Sequence, residues 1–373
     1  MTRPDLCISS DSHVVETPDL FDGLDKRFGD LAPRIIFEEG KGDILHVNGR
    51  SGLNIGRFGI AGHFANDPET QAMMKQGFRG LRKGIVDPME RLRDQDIDGL
   101  DAEVLLPSVM FGIYPVDNAE IVAATFSNYN DWILNYSSQA KDRLFPTACI
   151  SLLDIPQAIE ELHRVKKMGH VGANIPCIPP VDRPYTDAEY YDPFWRVAEE
   201  LDVPMIMHVN CSAQPNHGLP NWGPVMSYCL WPAGMAKVIG DLIWGGVCAR
   251  YPKLKFVCTE FETGWIPQFL QRLDWSIHRV PSHIIPPEVT MTGSEYFRQN
   301  FLATFEDDRI GIMLRDEIGV NNLMWGSDFP HHDSTFPRSQ DVLDEIFEGV
   351  PDEDRFRITV ANCVELYKLP IEY

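Results

Sequence analysis

In the stretch KLKFVCTEFETGW, residues 253–265, an apolar run, Lys255–Thr259, stops at two closely spaced carboxylates, Glu260 and Glu262. The run is continuous rather than alternating, the pattern of a strand buried on both faces. Seven further short runs read the same way: Leu6–Ser9, Glu103–Leu106, Phe145–Leu152, Gly172–Ile175, Pro204–Val209, Phe301–Thr304 and Leu323–Trp325. Amphipathic stretches lie near 119–142, 156–168, 187–202, 233–250, 264–280, 307–317 and 337–347. This alternation predicts a parallel sheet with right-handed crossovers. Eight strands favour closure into an α/β barrel of the (β/α)8 TIM type over an open doubly wound sheet. No GxGxxG or GxxxxGK[ST] follows any candidate strand, which weakens a nucleotide-binding reading.

Outward from the strands, the chain of 373 residues reads as one barrel domain, 1–373. The gap between the first two strands is too long for one βα unit. Ile35–Phe37 and Ile44–Val47 form a hairpin-like pair around Gly40-Lys41-Gly42, and a polar, Gly-rich stretch follows over 50–80. Residues of about 23–80 are therefore expected to be an inserted cap over one mouth of the barrel. Pro-rich 210–224 and 280–290 read as loops, of the kind that often wall a binding site.

Asp plus Glu number 55 against 33 Lys plus Arg, a formal charge of −22. A surface this acidic repels phosphate backbones and anionic lipids, so nucleic-acid and membrane-surface partners are not expected. No apolar run reaches the roughly 18 residues of a membrane span, and the opening MTRPDLCISS lacks a signal peptide's apolar stretch. Eight cysteines without CxxC spacing read as reduced thiols of a cytoplasmic protein.

Active sites in such barrels collect at the C-terminal strand ends. The first strand ends in Asp11-Ser12-His13, whose outer residues share a face. The fifth ends in His208, the sixth in Glu260, the eighth in Asp328. Each has an ordinary structural use on its own: a core histidine, a carboxylate at a helix N-terminus, an aspartate before a proline turn. Together at four strand ends they form a donor set suited to one divalent cation, Zn²⁺, Mn²⁺ or Fe²⁺. The loop Pro107–Tyr114, with Phe111, is apolar and aromatic, and Trp222, Met226, Trp231 and Phe329 could add to it. A largely apolar, ring-shaped substrate would suit such a lining. Arg82 and Lys83 are candidate carboxylate anchors, although either could be a solvated surface cation.

The segments ISSDSHVVETPDLF (8–21), GIVDPMERLRDQDIDGLDAEVLLPS (84–108), MIMHVN (205–210), EFETGWIPQFLQRLDW (260–275) and MWGSDFPHHDSTFP (324–337) resemble the amidohydrolase superfamily. The nearest branch is the amidohydrolase-related group that includes aminocarboxymuconate semialdehyde decarboxylase and the hydroxybenzoate decarboxylases. The similarity runs from about residue 6 to about 365. It implies a distorted barrel holding one divalent metal, here Zn²⁺ or Mn²⁺ ahead of Fe²⁺. The ligand positions carry over to Asp11 and His13 (where relatives have His-x-His or Glu-x-His), to His208, and to Asp328, which also carries a proton. The sixth-strand position is usually histidine; this chain has Glu260. No lysine stands in Val171–Pro176 to bridge two metals.

The resemblance implies a non-oxidative decarboxylase of a small aromatic or dienoic acid. Asp328 would serve as proton donor, with His331 as a second catalytic group in the pocket and Phe111, Arg82, Phe329 and His332 as substrate contacts. The same ligands would serve a hydrolase of an amide or lactone. A barrel that binds a ligand but has lost catalysis through Glu260 is a third possibility. Relatives of this branch are commonly homodimers, and the region 337–367 with Trp275 offers surface for self-association.

Overall fold

The computed structural model describes residues 6–211 and 223–373. The expected loop at 210–224 therefore falls largely outside the described residues, Trp222 included. The strands run in chain order as β1 Ile8–His13, β2 Arg34–Glu38, β3 Gly42–Val47, β4 Arg50–Asn54, β5 Ala102–Leu106, β6 Leu144–Cys149, β7 Gly172–Asn174, β8 Met205–His208, β9 Phe256–Thr259, β10 Phe301–Phe305 and β11 Leu323–Trp325. β1 and β5 to β11 form one parallel sheet in chain order. All eight expected barrel strands are present. The first reaches further than its apolar residues suggest, so Asp11 and His13 lie inside β1.

The barrel closes at an irregular seam between β11 and β1. Ser10 Oγ donates to the Trp325 carbonyl at 2.7 Å, and the Asp328 amide donates to the Asp11 carbonyl at 2.9 Å. At Gly326 the strands approach so closely that a Cβ would fall 2.4 Å from Asp11 Cβ; only glycine fits there. Inside the barrel, Ile8, Val104, Phe145, Ile206, Val257 and Met324 form an apolar floor. Val360, Cys363, Val364 and Tyr367 of the C-terminal helices pack under it. Within the region 337–367, the apolar residues Ile358, Val360, Cys363, Val364 and Tyr367 are thus buried within the chain. Trp275 remains 45% exposed.

Between β1 and β5 lies a separate antiparallel sheet, β2-β3-β4. The hairpin expected at 35–47 is there; β4 was not expected, because Arg-Ser-Gly-Leu-Asn has little apolar alternation and is held by pairing with β3. Leu45 and Leu53 press against Gly112 in the loop after β5. Ala61 donates to the Pro330 carbonyl at 2.9 Å. The inserted segment thus packs on the loops after β5 and β11.

All eight cysteines are free. Among the described residues no helix is long and apolar enough to cross a membrane.

Candidate active site

The C-terminal ends of β1, β8, β9 and β11 bring five side chains, Asp11, His13, His208, Glu260 and Asp328, to one point. His13 Nε2 lies 3.1 Å from His208 Nε2 and 3.3 Å from both Asp11 Oδ1 and Asp328 Oδ1. His208 Nε2 is 3.2 Å from Glu260 Oε2 and 3.7 Å from Asp11 Oδ1. Glu260, Asp328 and the nearby Asn210 and Glu262 hold left-handed backbone, with φ of 62°, 52°, 65° and 52°. Non-glycine residues hold this conformation only where the surroundings over-determine it, and such positions cluster at functional sites.

The hydrogen bonds fix what the two imidazoles present. His13 Nδ1 donates to the Pro107 carbonyl and His208 Nδ1 to the Val209 carbonyl, each at 2.7 Å. A carbonyl can only accept, so both protons sit on Nδ1. In the neutral rings both Nε2 lone pairs then face each other across 3.1 Å, an arrangement that is repulsive unless a cation lies between them. Nitrogens about 2.1 Å from one ion stand roughly 3–3.4 Å apart, so the observed spacing suits shared coordination.

The carboxylates agree. Asp11 Oδ1 and both Asp328 oxygens are buried without a hydrogen-bond partner among the described residues. Asp11 keeps its other oxygen on the Thr304 hydroxyl at 3.3 Å. Burial pushes Glu260 and Asp328 well above the ordinary carboxylate range, reinforced for Glu260 by Asp328 and for Asp328 by Asp11. Burial drives His13 down to about 3, with His331 adding to the effect. Buried acids this crowded call for a positive charge among them. Two groups of ligand atoms each lie within 4.8 Å of one another, Asp11–His13–His208 and His13–Glu260–Asp328–His331. Two imidazoles with several carboxylates fit a divalent transition ion such as Zn²⁺ or Mn²⁺.

Around this point, Phe111 stacks on His208 with centroids 4.5 Å apart and meets His13 edge-on at 5.8 Å. His331 stacks on His13 at 4.0 Å; its Nδ1 is 2.8 Å from Asp328 Oδ1 and its Nε2 is 2.8 Å from Ser108 Oγ. The structure thus brings Asp11, His13, His208, Glu260, Asp328 and His331 together under Phe111. The other sequence candidates have different neighbours. Arg82 pairs with Asp94 at 2.6 Å and lies over Phe336. The Phe329 ring packs on the Arg91 guanidinium and on Phe336. His332, half exposed, sits 3.3 Å from Asp333.

Two supporting residues escaped the sequence reading. Arg91, fully buried, grips Glu103 through Nε at 2.8 Å and donates from Nη1 to the His13 carbonyl at 2.6 Å. Glu16 is buried and accepts from the backbone amides of Ser108, Val109 and Met110 at 2.7–3.3 Å, which holds the loop carrying Phe111 and Ser108. The only local signal was a carboxylate three residues beyond His13; its partners lie more than 90 residues away. Replacing Glu16 with alanine strands three buried amides, each costing about 1–3 kcal/mol. Urea unfolding of Glu16→Ala is expected to show a loss of about 3 kcal/mol or more, and an unchanged midpoint would contradict this role.

A family model described as amidohydrolase matches residues 63–369. A gamma-resorcylate decarboxylase of Polaromonas sp. (strain JS666 / ATCC BAA-500) is 25% identical over 343 residues, covering 84% of this chain and 99% of that protein. An amidohydrolase from Mycobacterium avium subsp. paratuberculosis K-10 shares the fold with a TM-score of 0.77 at 21% identity, covering 97% of this chain and 99% of that one. A dihydroxybenzoic acid decarboxylase from Polaromonas sp. JS666, solved with bound manganese and 2-nitroresorcinol, superposes with a TM-score of 0.70 at 19% identity over 98% of both chains. The matched family model spans most of the barrel and every strand end that carries a candidate ligand except that of β1, and the chain belongs to the amidohydrolase family.

Proposed function

We propose that this protein is a metal-dependent non-oxidative decarboxylase of a small aromatic carboxylic acid. The observation that carries the reading is the pair of facing Nε2 atoms, His13 and His208, ringed by unpaired oxygens of Asp11 and Asp328 beneath an aromatic ring. The activity named for the near-full-length relative from Polaromonas supports the reaction class. Asp11, His13, His208 and Asp328 would hold the ion, with Glu260 against His208 as a fifth donor. A divalent cation held there supplies positive charge to the substrate's carboxylate and a neighbouring oxygen.

The chain's own residues do the rest. Phe111 offers an apolar face to an aromatic substrate. Asp328 transfers a proton to the ring carbon that bears the carboxylate. The bond from that carbon to the carboxylate then breaks, CO₂ leaves, and the bonding electrons return to the ring. His331, between Asp328 and Ser108 at 2.8 Å on each side, forms a route by which solvent restores the proton. Phe329, Arg82 and His332 are proposed only as outer contacts, since each has another neighbour. A cytoplasmic homodimer belongs to this proposal on family resemblance.

Manganese-loaded protein incubated with a panel of ortho-hydroxybenzoates is expected to release CO₂ from at least one, and to stop on addition of chelator. Turnover of amides, esters or lactones alone would make it a hydrolase using the same residues. Absence of both metal and turnover would make it a binding barrel.

A further inference from the structure

Next to the histidines, the barrel mouth carries acids that the proposed reaction does not use. Glu306 directly follows β10 and is only 6% exposed, yet its Oε1 has no hydrogen-bond partner among the described residues. Glu262 lies within hydrogen-bonding reach of Glu306, and its own Oε2 is likewise unpartnered. The two acids line a cavity of about 280 Å³ that Glu260 also lines, so the cavity adjoins the ligand cluster. Tyr228 and Trp231, with ring centroids 4.7 Å apart, supply aromatic wall. Among the described residues no lysine or arginine lines it.

Buried Glu103 has a built-in partner in Arg91. Glu306 lacks one and sits at a cavity, so its partner is to be sought in a ligand. A second metal ion is the weaker choice. Among the described residues, the groups of three or more converging ligand atoms all include His13, and none includes Glu262 or Glu306. Two carboxylates beside two aromatic rings instead match an organic cation, held by charge and by the ring faces.

We propose that this cavity binds the protonated nitrogen of an alkylammonium group. Given the decarboxylase reading, on which this step rests, the substrate is an aromatic acid bearing a basic side arm. The carboxylate lies at the histidine cluster and the amine between Glu306 and the aromatic wall.

Benzylamine, protonated at neutral pH, and benzyl alcohol, its neutral counterpart, test the cavity by calorimetric titration of manganese-loaded protein. Benzylamine is expected to bind about tenfold more tightly or better. Glu306→Gln is expected to lose that advantage while keeping its manganese content and circular dichroism. Should Glu306→Gln fail to fold, Glu262→Gln, at a partly exposed residue, serves for the same comparison. Equal affinity for the two probes, or benzylamine binding unchanged in both variants, overturns the proposal. So does a second manganese ion per chain that Glu306→Gln removes. Calorimetry is independent of CO₂ release: benzylamine selectivity without decarboxylation supports the cation site and withdraws only the substrate assignment.

Discussion

Asp328→Asn is expected to fold normally and to lose about three orders of magnitude in turnover, within the range that a positioned proton donor contributes. The substitution keeps shape and volume. What changes is that an amide cannot deliver a proton, and its nitrogen cannot accept the contacts that two unpaired, buried carboxylate oxygens offer. Asp328 Oδ1 lies 3.3 Å from His13 Nε2 and 2.8 Å from His331 Nδ1, so both the ion's ligand set and the proton route pass through this one residue. CO₂ release measured together with manganese content separates the two effects. Retained manganese with lost turnover identifies the proton carrier; near wild-type turnover would contradict the assignment.

His208→Ala is expected to abolish tight metal binding. Its Nε2 faces that of His13 across 3.1 Å at the centre, and without the ring the Asp11–His13–His208 group of ligand atoms is broken. The loss should exceed the roughly 10–100-fold that removal of a supporting hydrogen bond costs a metal site. Melting reports it without any assay of activity. A ligand present at about 100 times its Kd stabilises a folded protein by about 2.7 kcal/mol. Wild-type protein should therefore melt higher with manganese than without, and His208→Ala should melt at one temperature in both conditions. A metal-dependent rise that survives in the variant would contradict the role given to His208.

The barrel and its chemical centre were legible because both are written locally. Continuous apolar runs such as Phe256–Thr259 need burial on both faces, and the metal-capable residues stand at the strand ends. What escaped depends on partners distant in sequence. β4 is polar and Gly-containing and exists through its ladder with β3. The helix Gly223–Trp244 begins ten residues before the expected 233 and passes through Pro232, which reads locally as a breaker. Glu16 and Arg91 look like ordinary acid and base in the sequence; their roles come from loops and strand ends brought to them by the barrel. Arg82 and His332 show the converse. A basic side chain near a site in sequence finds the nearest acid, here Asp94 for Arg82 and Asp333 for His332. His331 and His332 are neighbours in the chain, but the turn after β11 gives one to Asp328 and the other to the surface.

Asp11, His13, His208 and Asp328 are proposed to share a single divalent ion. Anomalous diffraction at the manganese edge, from crystals grown with manganese, tests it most directly. One peak per chain is expected, within bonding distance of the Nε2 atoms of both histidines. A map without that peak, or with its strongest peak elsewhere on the chain, would contradict it.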